Sequence, residues 1–89
     1  MIYSITPKYV DFIPELIDMK DGILYISEKY KTAIHLCACG CRNQTVTPLS
    51  QGWTLTKSDG KITLLPSIGN FQFKCRSHYY ITNNLIQWL

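Results

Sequence analysis

Trp53-Thr54-Leu55-Thr56-Lys57-Ser58-Asp59-Gly60-Lys61-Ile62-Thr63-Leu64-Leu65, WTLTKSDGKITLL, is the stretch on which the fold class turns. Trp53 and Leu55 on one arm, and Ile62 and Leu64 on the other, alternate with polar residues. A period of two gives each arm one apolar face, as in a half-buried strand. Asp59-Gly60 between the arms accepts the left-handed backbone that a two-residue hairpin turn requires. The stretch therefore predicts an antiparallel hairpin.

The same signals recur in both directions. Towards the C-terminus, HYYIT (78–82) and LIQWL (85–89) flank Asn83-Asn84, and asparagine tolerates the turn conformation. Towards the N-terminus lie QTVTPL (44–49) and the pair GILYIS (22–27) and TAIHLC (32–37), rich in β-branched and aromatic residues and linked by EKYK. Pro66, Gly69 and Asn70 in PSIGN mark a loop, after which FQF leads into Cys75. IPELIDMKDG holds at most a turn or two of helix before Gly22. About six or seven short strands at close spacing predict an all-β fold, a small single-domain sheet, sandwich or barrel.

Composition narrows the class further. At 89 residues the chain is expected to be one domain, residues 1–89, and its 46% apolar and 17% charged content is that of a folded protein. No run approaches the roughly 18 apolar residues of a membrane span, and MIYSITPKYVDF lacks the features of a signal peptide. The expectation is a cytoplasmic protein whose thiols stay reduced. The net charge is +3, with Lys31, Arg42, Lys57, Lys61, Lys74 and Arg76 scattered through the second part of the chain. Dispersed charges make no basic stripe, so nucleic acid is not the expected partner.

Chemistry concentrates in two places. HLCACGC (35–41) carries Cys37, Cys39 and Cys41 on alternate positions, and CRSH (75–78) carries Cys75 and His78. Thiolate and imidazole are the ligands of a tetrahedral, borderline-soft ion, and close pairs of them on two turns can clamp it. Cys75 and His78 form one pair; Cys37, Cys39 and Cys41 offer three candidates for the other. Gly40 allows the chain to bend around a ligand sulfur. Spacing does not select which four of these five bind. Zinc is the first reading, with the metal site joining two turns at sheet ends. A Rieske-type [2Fe–2S] centre, which needs two cysteines and two histidines, is the competing one. A disulfide is disfavoured because i, i+2 cysteines strain a bridge. His35, between Ile34 and Leu36, reads as a packed residue or a donor to a thiolate.

These motifs resemble a family of small bacterial proteins regarded as metal-binding. The resemblance lies in VDFIPE, GILYIS, HLCACGC, LLPSIGNFQFKCRSHYYI and the terminal IQW, and it spans nearly the whole chain. Its pattern falls on Cys37, Cys39, Cys41, Cys75, Ser77 and His78. Arg42 stands where the family commonly has a second glycine, and Tyr80 where it has a tryptophan. Some members resemble components encoded beside bacterial ubiquitin-like conjugation genes. The resemblance implies a protein partner from such a pathway. The expected function is therefore a zinc-stabilised, protein-binding accessory module, more a binder than an enzyme. An iron–sulfur electron carrier and a zinc-dependent enzyme, for which Asp11, Glu15, Asp18, Asp21 and Glu28 would have to approach the metal, are the alternatives.

Overall fold

Two turns whose residues all have positive φ set the topology of the C-terminal half. The computed structural model describes residues 1–89. Asp59 and Gly60 have φ of 52° and 77°, and Asn83 and Asn84 have 49° and 66°. This is the turn geometry that matches the twist of a hairpin. The first turn joins β5 (Thr54–Ser58) to β6 (Lys61–Gly69), and the second joins β7 (His78–Thr82) to β8 (Leu85–Trp88). Asn84 also ties its turn to β6: its side-chain carbonyl accepts the Ile62 N–H at 2.9 Å, and its own N–H donates to the Ile62 carbonyl at 3.0 Å.

The N-terminal half forms a second sheet from β1 (Thr6–Tyr9), β2 (Ile23–Ser27), β3 (Thr32–Leu36) and β4 (Gln44–Pro48). The fold is all-β, as expected, with two sheets of four strands ordered β1-β2-β3-β4 and β5-β6-β7-β8. All pairings are antiparallel except β1 with β2. That parallel pairing needs a crossover, which residues 10–22 supply with a single 3₁₀ turn at Leu16–Asp18. The polar sequence Thr6-Pro7-Lys8-Tyr9 carries no alternating apolar signal, so β1 is a strand that sequence patterning does not reveal.

Leu24, Ile26 and Ala33 from one sheet pack with Ile62, Leu64, Ile68, Tyr79, Ile81 and Ile86 from the other in one buried core. β2 is covered on both faces, because Tyr25 packs with Met19 and Leu36 beneath the crossover. The N-terminal segment joins the sheets: Ile2 N–H donates to the Ala38 carbonyl, and Ile86 N–H donates to the Tyr3 carbonyl.

β6 differs from the sequence reading. PSIG, expected in a loop, continues the strand, whereas FQF lies in turns. β6 pairs with β7 at Leu64↔Ile81 and resumes at Ile68↔Tyr79, so three residues of β6 face one of β7. This is a bulge, and Pro66, which has no N–H to give a ladder, falls within it.

A polar network crosses the core. The Tyr79 hydroxyl oxygen accepts N–H groups from Ala38 (3.3 Å) and Asn70 (3.4 Å), and lies 2.7 Å from His35 Nε2. With two donors already on the phenol, its proton goes to Nε2, and His35 is the neutral Nδ1–H tautomer. Burial lowers the His35 pKa to about 4 from 6.5. As pH falls through this window the unfolded chain takes up a proton that the folded chain refuses, so stability declines. The expected loss between pH 6.5 and 4 is about 3 kcal/mol. Denaturant titrations across that range should show a shallower decline for His35→Gln, which keeps an acceptor for Tyr79; equal slopes would contradict the assignment.

Candidate metal centre and adjacent serine–histidine pair

Cys37 follows the last residue of β3, and the chain then doubles back. Gly40 N–H donates to the Cys37 carbonyl at 3.1 Å, and Cys37 N–H to the Asn43 carbonyl at 2.8 Å. Gly40 (φ 94°) and Arg42 (φ 64°) take the left-handed conformations this reversal needs. Arginine thus occupies a backbone state that favours glycine. Its guanidinium is held by the Met19 carbonyl at 3.2 Å and by Asp21 at 3.5 Å. Cys75 lies in the turn before β7, and the ends of the two sheets bring it to the first three cysteines.

The Sγ atoms of Cys37, Cys39, Cys41 and Cys75 all lie within 4.8 Å of one another. Cys37 is 3.5 Å from Cys39 and 3.6 Å from Cys75, and Cys41 is 3.8 Å from Cys75. Metal–sulfur bonds of about 2.3 Å in a tetrahedron place sulfurs about 3.8 Å apart. The donor set therefore suits a four-coordinate ion. Cys37 is buried whereas Cys41 and Cys75 are exposed, so the group opens to the surface.

Each sulfur also accepts one hydrogen bond from outside the thiol set. Asn70 Nδ2 donates to Cys37 (3.3 Å), the Cys41 N–H to Cys39 (3.3 Å), Asn43 Nδ2 to Cys41 (3.2 Å) and the Ser77 hydroxyl to Cys75 (3.2 Å). Donors of this kind favour thiolate over thiol. The Ser77 bond pulls the Cys75 pKa down to about 6, while burial pushes Cys39 up to about 12. Four adjacent thiols cannot all ionise alone, and a divalent cation reverses that penalty.

Neither histidine joins this group. His35 is fully buried against Tyr79. His78, counted with the candidate ligands, has its Nε2 2.9 Å from Ser67 Oγ. A Rieske ligand set of two cysteines and two histidines is therefore not assembled, and no carboxylate stands among the four thiols.

Ser67 and His78 meet because Gly69 pairs with His78 across the ladder. Ser67, two residues before Gly69, then lies diagonally opposite His78 on the same face. Both are half-buried. The Phe71 ring folds back over Gly69, where a Cβ would come within 2.6 Å of it, and its centroid is 5.2 Å from that of His78. The Arg76 guanidinium lies over the Phe71 ring, 5.7 Å from its centroid. No side chain accepts a bond from His78 Nδ1 in the structure, so the arrangement is a pair rather than a triad. A hydroxyl within reach of an unprotonated imidazole has the geometry that a nucleophile and its base require.

Sequence reasoning did not single out Ser67, because its position beside His78 depends on a bulge that no spacing encodes. The available signal was the joint presence of Pro-Ser-Ile and Cys-x-Ser-His in one short chain.

Residues 9–89 match the family model described as "Bacterial ubiquitination-like system serine protease (BubE)". The chain belongs to this family. Searches among curated proteins and among solved structures found no match.

Purified protein is expected to carry about one metal ion per chain by elemental analysis. Ser77→Ala, which removes the donor to Cys75, should weaken metal retention in chelator competition about ten-fold. Folded protein with no metal and four freely reactive thiols would contradict the assignment.

Proposed function

We propose that the protein is a serine hydrolase acting on proteins of a bacterial ubiquitination-like system, with Ser67 as nucleophile, His78 as general base and a structural zinc ion held by Cys37, Cys39, Cys41 and Cys75. The observation that carries this reading is the 2.9 Å approach of Ser67 Oγ to His78 Nε2 on an accessible sheet face. The family description supports it. Zinc is chosen because four thiolates in tetrahedral spacing suit it, and four protein ligands leave no open position for water or substrate.

The chemistry follows from the pair. His78 Nε2 accepts the Ser67 proton as Oγ attacks a substrate carbonyl carbon, giving a tetrahedral intermediate. Collapse breaks the C–N bond, and the leaving amine takes the proton from His78. A water then repeats the attack on the acyl-serine ester, giving up one proton to His78, which returns it to Ser67. The net reaction is amide plus water to carboxylic acid and amine.

Without a carboxylate on Nδ1, the imidazole must be oriented by packing. Phe71 supplies that contact, and Gly69 leaves the space for its ring. The metal-binding Cys75 stands three residues before His78, so a filled tetrathiolate site would anchor the start of β7. The protein-binding role expected from the sequence becomes part of this reading, with the bound protein as substrate. Residues 1–89 act as one zinc-binding domain, and the reduced thiols suit the cytoplasm.

A fluorophosphonate probe should label wild-type protein at Ser67. Ser67→Ala and His78→Gln should each lower amide hydrolysis by at least about 10³-fold. Both should retain zinc, which separates loss of chemistry from loss of fold. Undiminished labelling of Ser67→Ala would refute the assignment of the nucleophile.

A further inference from the structure

Beside the Ser67–His78 pair, β6 has an edge with no partner strand. The β5–β6 ladder ends at Thr54↔Leu65, whereas β6 continues to Gly69. The chain before Thr54 turns away, since the Trp53 N–H donates to the Pro48 carbonyl at 3.4 Å. Nothing therefore pairs with the outer side of β6 beyond Leu65.

Two backbone bonds fix which groups face that side. Asn70 N–H donates to the Ser77 carbonyl at 2.8 Å, so Asn70 points its backbone groups at β7. Leu89 N–H donates to the His78 carbonyl at 2.9 Å, so His78 points away from Gly69, its partner in register. Backbone groups alternate sides along an antiparallel strand. The N–H and C=O of Gly69, and by the same alternation those of Ser67, face the open edge. Gly69 and Pro66 are both exposed, as an uncovered edge requires.

We propose that this edge, Ser67 to Gly69, receives the substrate as an added β-strand, so that the enzyme acts on an extended segment of a protein chain. The inference rests on the reading of Ser67 as nucleophile. Unpaired N–H and C=O groups in a row are a template for an extended peptide. The groups of Gly69 hold the segment in register. An added strand runs about 4.8 Å from β6, which brings its carbonyls past Ser67. Pairing then stops at Leu65, whose edge side Thr54 of β5 already occupies, and the substrate leaves the sheet next to the nucleophile. Leu65 and Phe71, 48% and 49% exposed, flank the edge and offer apolar contact to substrate side chains. Backbone groups already paired inside a folded domain cannot make these bonds.

The test separates strand capture from nucleophile chemistry. Gly69→Pro removes the edge N–H; Gly69→Ala adds a Cβ but keeps it. On unfolded fluorescein-labelled casein, Gly69→Pro should be about three- to ten-fold slower than Gly69→Ala, the effect of one hydrogen bond. Both variants bring the same Cβ against Phe71, so casein cleavage is compared after normalising to fluorophosphonate labelling, which needs no strand and reports any disturbance of His78. Independently of these variants, casein added to Ser67→Ala protein should slow hydrogen exchange at the Gly69 amide. Unchanged exchange, or equal casein cleavage by the two Gly69 variants, overturns strand addition. Absence of fluorophosphonate labelling in wild-type protein overturns the nucleophile instead.

Discussion

Four sulfur atoms within 4.8 Å of one another form the constraint on which the rest of this structure depends. They come from two turns that 33 residues separate, at the ends of different sheets. Thiolates so close repel one another, and a bound cation would convert that repulsion into a cross-link between the sheets. For a small protein this matters more than for a large one, because its core buries too little surface for a wide margin of stability.

The four-thiol group is tied to both the interior and the surface. Asn70 donates to Cys37 and to Tyr79, and its own carbonyl accepts from Thr45 at 3.1 Å, so one buried amide ties the metal cup to β4 and β7. Tyr79 passes the chain of bonds to His35. Asn70 and Tyr79 are also neighbours in sequence of the strand segments that carry Ser67 and His78: one follows Gly69, the other follows His78. A shift of Cys37 or Cys75 would therefore move the strand segments that set Ser67 against His78. The thiol cluster and the Ser67–His78 pair share one scaffold without sharing a residue.

Much of the fold was legible in the sequence, and the reasons are local. Asp59-Gly60 and Asn83-Asn84 specify their turns through backbone preference alone, and the alternation around each sets the register. β1 was not legible because a short polar strand that pairs in parallel has no pattern of its own. PSIG has the composition of a loop, because proline and glycine normally interrupt strands; a bulge accommodates the proline here. The cysteines were legible as a group, since metal ligands come as close pairs. His78 was not separable from them, because Cys-x-x-His has the spacing of a ligand pair whether or not the imidazole turns to the metal.

Its direction is decided by the ladder. Residues of a strand alternate between the two faces. With Ser77 turned to Cys75, His78 is directed to the opposite face, where register places it against Gly69 and diagonally against Ser67. A ligand role for His78 would require β7 to begin later, which would break the Gly69↔His78 pairing and leave the Asn70 N–H without its Ser77 partner. A buried amide left unpaired costs about 1–3 kcal/mol, and Asn70 is buried. The fourth cysteine is what frees the histidine: with Cys75 completing a set of four thiols, a four-coordinate ion would need no imidazole, and the strand can present His78 to Ser67.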